Sequence, residues 1–315
     1  MSTASFSPGA GSALARRPYA GGHFVFTLDG APVPGYLRSV EGGTISGEVI
    51  DETVGPDFTH FKHLGTVSIE PLSLELGMSM SRPIFEWISA SWKRDFSRRN
   101  GAVIHTDARH RSQLEQWFTD ALIVETTFPT LDGASTDPAY LNVKLQPERV
   151  EIKRGDDEPV AGVFSPAQKQ WSPANFRFRL DGLDTAHVNK IDSFNVTQKL
   201  KELYVGSSRF PELEPTGLEF SNLSVHTGLA YADDFLAWYN EAVVAGDKDT
   251  RQERQGAIEF LDPSGETVLF SVSLQNVGIF GFSIDKSEAG SEQTKRCKIE
   301  LYVESMSLEY GPGVD

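Results

Sequence analysis

The sequence predicts a mainly β protein of the α+β class, built as two tandem β-barrel or sandwich domains, each with one flanking helix. Three observations lead there. Phe24–Gly30 reads FVFTLDG and Phe176–Gly182 reads FRFRLDG, the same Phe-x-Phe-x-Leu-Asp-Gly pattern 152 residues later. The landmarks after it recur in the same order, so the chain contains an internal duplication. Most apolar residues outside one segment per half alternate with period two, the spacing of half-buried strands.

In chain order, residues 1–20 are rich in Ser, Ala, Gly and Pro, carry Arg16 and Arg17, and lack a continuous apolar run. They are expected to be a flexible tail, not a signal peptide. The first domain is placed at 21–155. It opens with a strand in which Phe24, Phe26 and Leu28 alternate with polar partners, closed by a turn at Asp29-Gly30. Leu37 to Ile50 holds further strand pattern. Residues 51–64, DETVGPDFTHFKHL, are polar, are interrupted by Gly55-Pro56, and read as a long hairpin tip or loop.

The segment GTVSIEPLSL places Val67, Ile69, Leu72 and Leu74, and TGLEFSNLSV places Leu218, Phe220, Leu223 and Val225 at an offset of 151. Two-three-two spacing predicts one strand whose inward face switches at a bulge. A helix follows in each half. Ser81 is its expected N-cap and Pro83 lies in its first turn. Ile84, Trp87, Ile88 and Trp92 share one face, matched by Phe235, Trp238, Tyr239 and Ala242. Such bulky stripes predict burial against a sheet.

Gly101-Ala102-Val103 then matches Gly256-Ala257-Ile258. In the second copy Asp262-Pro263-Ser264-Gly265 suits a type I turn between strands. The first copy has Asp107-Ala108-Arg109-His110 there, so a hairpin is expected although Leu114, Trp117 and Phe118 would also suit a helix. Each half closes with a strand pair, Ala121–Phe128 with Tyr140–Ile152, and Val277–Ile284 with Lys298–Leu308. Residues 156–173 are the expected linker and 174–315 the second domain.

Composition narrows function. Net charge is −15, with 15 Lys/Arg against 21 Asp/Glu in residues 1–160 and 14 against 23 in 161–315. Acidity spread over both halves argues against specific nucleic-acid binding through a basic groove. No run approaches the roughly 20 apolar residues of a membrane span. Cys297 is the single cysteine, which rules out an intrachain disulfide and a zinc cage and favours a reducing compartment. Its basic neighbours could lower a thiol pKa, but a small buried residue beside a strand is the favoured reading.

No catalytic, cofactor or metal constellation stands out. His60 and His63 have ligand-like spacing but no Asp, Glu or Cys motif beside them. Asp107, His110 and Ser112 resemble a triad only in composition. Asp132, Ser135 and Asp137 lack the calcium-loop pattern. Neither a dinucleotide nor a P-loop glycine motif occurs. Arg94, Arg98 and Arg99 suit either a helix C-terminus or ion pairs at a subunit contact. The protein is expected not to be an enzyme.

Taken in order, these motifs resemble the tail-tube proteins of contractile-tailed phages and contractile injection systems. The resemblance covers roughly residues 21–155 and 174–312. It lies in F-x-F-x-L-D-G, the long polar hairpin, the G-x-V-x-I/L-x-x-L-x-L segment, the aromatic helix, the G-A-hydrophobic hairpin and the closing Ile299 to Gly311. It implies self-association edge to edge into a six-membered ring around a β-lined channel. It also implies stacking on tube, hub or spike proteins, a sheath contact, and a virion or tail-like particle assembled in the bacterial cytoplasm. The chain departs from the family in carrying two diverged copies, so that three chains, a trimer, would make a pseudo-hexamer. The expected ring-stacking hairpin carries Glu48, Asp51, Asp57, Phe58, His60, Phe61 and His63, and its second-copy counterpart carries Lys201, Tyr204, Arg209 and Phe210. The alternative is a tandem β-domain binding module for a receptor or carbohydrate, which exposed aromatics would mark.

Overall fold

The repeated Phe-x-Phe-x-Leu segments form corresponding strands in the two halves of the computed structural model. The structure describes residues 23–34, 37–54, 59–77, 82–160, 172–206, 208–246, 253–285 and 295–311. The first half contains β1 (Phe24–Leu28), β2 (Ala31–Pro32), β3 (Leu37–Glu41), β4 (Ile45–Val54), β5 (Thr59–Ile69), β6 (Leu72–Gly77) and α1 (Arg82–Trp92). It continues with β7 (Arg99–Thr106), β8 (Ser112–Phe128), β9 (Leu131–Asp132), β10 (Tyr140–Gln146) and β11 (Arg149–Arg154). The second half contains β12 (Phe176–Leu180), β13 (Val188–Ile191), β14 (Phe194–Leu203), β15 (Glu212–Phe220) and β16 (Leu223–Gly228). After α2 (Asp233–Tyr239) it ends with β17 (Arg254–Leu261), β18 (Val268–Ile284) and β19 (Arg296–Tyr310). The tail, Ser81 and residues 161–171 of the linker lie outside the described residues.

The duplication is visible in the sheets. The strand order β1-β7-β8-β10-β6-β3 in the first half recurs as β12-β17-β18-β19-β16-β13 in the second, antiparallel throughout. β10 and β11 lie in turn along β8 where β19 runs unbroken along β18. The break falls at Pro147, which has no N–H to give to a ladder.

The Gly-Ala motif has a packing cause in both copies. A Cβ on Gly101 would collide with the Thr27 carbonyl and the Phe118 ring, and one on Gly256 with the Arg179 carbonyl and Leu180. Each glycine lets the first strand of its copy lie close against the next.

Several expectations are refined. GTVSIEPLSL is not one bulged strand. β5 ends at Ile69 and β6 starts at Leu72 in a different sheet, and the same division separates β15 from β16. The polar stretch 51–64 is mostly strand, because β4 and β5 extend as a two-stranded ribbon. The Asp107 turn joins two strands as its second-copy counterpart does, with His110 N–H bonded to the Asp107 carbonyl and Gly265 N–H to that of Asp262. His110 takes a positive φ of 59° where the second copy has Gly265 at 75°. β8 and β18 are single 17-residue strands spanning both the hairpin and the closing pair. The second helix runs from Asp233 and passes into a π turn at Asn240–Val244.

Trp87, Trp92 and Trp238 are buried, as the stripes predict. The two halves share one continuous apolar core. Phe128 at the end of β8 lies at its middle. Its ring stacks on Phe194 at 4.8 Å, lies 5.5 Å from Phe260, and meets Trp92 edge-on at 6.0 Å. Removing a fully buried Phe side chain from such a site costs about 3–5 kcal/mol. Phe128→Ala is therefore expected to lower the urea midpoint of both halves together. Independent unfolding of the two halves in the wild-type chain would contradict a shared core.

Candidate functional site

Two features set this surface apart: the two long hairpins and the contact between the copies. β4–β5 runs from Ile45 opposite Ile69 to Val54 opposite Thr59, and β14–β15 runs from Val196 opposite Phe220 to Leu203 opposite Glu212. Both therefore start at positions 151 apart. Their surroundings differ. β4–β5 is a separate two-stranded sheet with Val49, Phe61 and Leu64 exposed. β14–β15 is joined to β8, with Phe194, Val196 and Leu213 buried. An isolated ribbon with exposed apolar residues is marginally stable alone and gains from a partner.

Within the first hairpin, Glu48 accepts a hydrogen bond from Thr66 Oγ1 at 2.9 Å. Asp51 bonds His60 Nδ1 at 2.9 Å and has Lys62 Nζ at 3.8 Å. Cross-strand register thus supplies an acidic partner for His60 that the linear motif does not show. His63 stands opposite Ile50 and is exposed. Asp57 and Phe58 lie outside the described residues. In the second hairpin Lys201 stands opposite Glu214, and Ser208 Oγ accepts from Phe210 N at 3.2 Å. Arg209 Nη2 donates to the Gly65 carbonyl at 3.3 Å, bringing the hairpins of the two copies side by side. Tyr204 Oη donates to Glu202 Oε2 at 3.2 Å. Desolvation and the carboxylates of Glu202 and Glu48 push its hydroxyl above its ordinary range.

The copies meet edge to edge. Residues Glu125–Thr127 of β8 pair on one side with β10, and Glu125–Phe128 pair on the other with β14, where Thr127 faces Asn195 and Thr126 faces Val196. One sheet therefore crosses from the first copy into the second. Around this seam α1 reaches β19, with Phe85 edge-on to Tyr310 at 4.3 Å and Ser89 Oγ donating to the Leu308 carbonyl at 3.0 Å. A cleft of about 630 Å³ lies beside that contact, lined in part by Arg82, Lys93, Asp95 and Tyr310.

Arg98 and Glu148 clamp the peptide of Leu213. Glu148 Oε1 accepts from Leu213 N at 2.9 Å and from Arg98 Nε at 3.2 Å, while Arg98 also donates to the Leu213 carbonyl. α1 ends at Trp92, before Arg98 and Arg99, and the ion pair of Arg98 lies within the chain, at the seam between the copies, and not at a subunit contact. Arg99 pairs with Asp29 at 2.6 Å. Linear motifs do not reveal this seam; the one signal was a charged pair in polar loops distant in sequence.

The composition-based catalytic sets do not assemble into a triad. Asp107 Oδ1 accepts from Arg109 N and Arg111 N, Ser112 Oγ donates to Glu115, and the His110 ring lies over His23 at 4.8 Å. The backbone N–H of Arg111, outweighing desolvation, holds the Asp107 carboxyl below its usual range. Asp132 and Ser135 cap local backbone N–H groups. Among the described residues, no group of three or more His, Cys, Asp or Glu side chains is placed to hold a metal. Cys297 is buried in β19, its Sγ donating to the Thr227 carbonyl, and burial pushes its thiol up. The basic neighbours do not produce a reactive thiolate.

The T4-like virus tail tube protein gp19 family model matches the chain twice, over residues 22–151 and 172–307. The chain belongs to that family. Its two tandem domains are tail-tube-like, and it is a structural component of the tail-tube kind. A search of curated proteins gave no match. Among solved structures, the chain is similar to the tube-terminating cap of the anti-feeding prophage at 22% identity, covering 47% of this chain and 99% of that one, with a TM-score of 0.42. It is also similar to a chain of the extended sheath–tube complex of the extracellular contractile injection system PVC, at 20% identity, with the same coverages and a TM-score of 0.40. A chain of the PVC sheath/tube terminator gives 20% identity, 44% and 99% coverage and a TM-score of 0.39.

Two outcomes follow from this geometry. Glu148→Ala strips the partner from two donors at the seam and is expected to destabilise the chain by about 1–3 kcal/mol in urea unfolding. An unchanged midpoint would show the clamp to be solvated. Cys297 is expected to resist a thiol reagent in the native protein and to react fully in denaturant. Rapid native labelling would contradict its burial.

Proposed function

We propose that three chains close into a pseudo-hexameric ring of six tail-tube domains around a central channel. The observation that carries this reading is the seam itself. The two copies already meet edge to edge through β8 and β14, and repeating that contact between chains is how closed association removes open sheet edges. The role is structural and not enzymatic.

Within this reading the ring sits at the end of a tube, next to a hub or spike. The two hairpins support that placement, since one stands free with apolar residues exposed and the other is tied into the sheet of the first copy. A ring built this way presents two kinds of stacking element in alternation. That suits a junction between sixfold and threefold partners better than a run of identical rings. Its axial partners are then tube, hub or spike proteins, its outer wall faces a sheath, and the particle is assembled in the bacterial cytoplasm.

Electron microscopy of the purified protein, with its solution mass, tests the proposal. The expected result is a ring with a mass three times that of the 34.7 kDa chain and an open channel of sixfold appearance. Uniform rods of this protein alone would move it from tube end to tube. A chain that stays monomeric alone and with tube or spike partners would overturn the ring.

A further inference from the structure

The contact between the copies has a counterpart at each free end of the chain. β8 and β18 match residue for residue at an offset of 156, and the two hairpins match at 151. The β8 segment that receives β14 therefore corresponds to Gly281–Ile284 of β18. Among the described residues, Gly281–Ile284 pairs on one side only, with β19. The β14 segment that docks there corresponds to Gly43–Ser46; among the described residues Ile45 and Ser46 pair with β5 on one side only, while Gly43 and Thr44 bond Glu70 and the Gly43 carbonyl accepts from Gln116 Nε2.

Exposure follows the same correspondence. Phe128 is 0% exposed and its counterpart Ile284 is 57% exposed. Val196 is 2% exposed and Ile45 is 38%. On the helices Phe85 is 3% exposed and Leu236 is 39%. On the opposing strands Leu308 is 1% exposed and Ile152 is 55%, while Phe270 is 4% and Leu114 is 40%. In each pair, the residue at the seam within the chain is buried and its apolar counterpart at a free end is open. Exposed apolar residues scattered over a surface need no explanation, but five that coincide with buried positions of the seam do.

We infer that the C-terminal half of one chain docks on the N-terminal half of a second copy in the register that already joins the halves within the chain. Gly281–Ser283 pairs antiparallel with Thr44–Ser46, Ser283 opposite Thr44 and Phe282 opposite Ile45. Ile284 then comes opposite Gly43, the glycine standing where the second copy has Phe194. Leu236 of α2 covers Ile152 and Leu114 as Phe85 of α1 covers the end of β19. The occupant is a second copy because each half of the chain supplies the face that the other half's free end lacks. The contact is heterologous, head to tail, so it closes into a ring or continues as a helix according to its rotation. This inference rests on the ring reading and adds the register.

The test is a full-length chain carrying Thr44→Cys and Ser283→Cys, oxidised mildly and analysed without reductant beside its solution mass. Directly opposed antiparallel residues have Cα atoms about 4.5–5.5 Å apart, within disulfide range, and the buried Cys297 does not compete. Disulfide-linked trimers are expected, with no link from the out-of-register pair Glu48→Cys and Ser283→Cys. A trimer that forms without the 44–283 link, or that links through 48–283, overturns the register and leaves the ring reading intact. Linked oligomers that are not trimers support the register and overturn the ring. A monomer without links overturns both. As a second measurement, Leu236→Glu changes an exposed residue and should leave the melting temperature of the monomer unchanged. It should raise the protein concentration needed for half-assembly by at least about tenfold, the scale expected when a charge is forced into an apolar contact. An unchanged assembly concentration overturns the docking face.

Discussion

The architecture depends on closing one strand edge. At Glu125–Phe128, β8 is central to a sheet only because a strand from the second copy lies along its outer side. Without β14, the backbone N–H and C=O groups of alternate residues in this segment would face solvent beside a fully buried Phe128. The second copy covers both at once, the polar edge with β14 and the apolar ring with Phe194 and Phe260. The shared core, the approach of α1 to β19 and the Arg98–Glu148 clamp all rest on that closure.

Much of the fold was legible because duplication gave each ambiguous segment a clearer twin. The region around Leu114 has mixed helical and strand character, and the pattern of Val268, Phe270, Val272 and Leu274 resolved it. Tertiary switches were less legible. Val67 to Leu74 looks like one bulged strand because its apolar spacing is continuous, yet Glu70-Pro71 carries the chain from one sheet to another. The polar stretch 51–64 looks like loop because strands of a two-stranded ribbon outside the main sheets have no need of alternation.

The candidate site was legible in part. The hairpins could be located, since long polar insertions between strand patterns are visible without coordinates. What they touch could not be read. Arg209 meeting Gly65, or Glu148 meeting Leu213, pairs residues of different copies through loops whose local pattern says nothing about reach. The family relation follows from order and recurrence of soft motifs, whereas the seam follows from the pairing of β8 with β14, which no linear pattern shows.

The covalent link between the copies also changes the concentration dependence of assembly. The seam within each chain forms as part of folding, at an effective concentration set by the tether and not by the number of molecules present. In a ring of three chains only half of the six domain contacts would then be bimolecular, and only those would lose translational freedom on closing. Ring formation would scale with the third power of protein concentration where single-copy subunits would require the sixth. A component needed in few copies per particle could thus assemble at dilutions where an unfused subunit would remain apart.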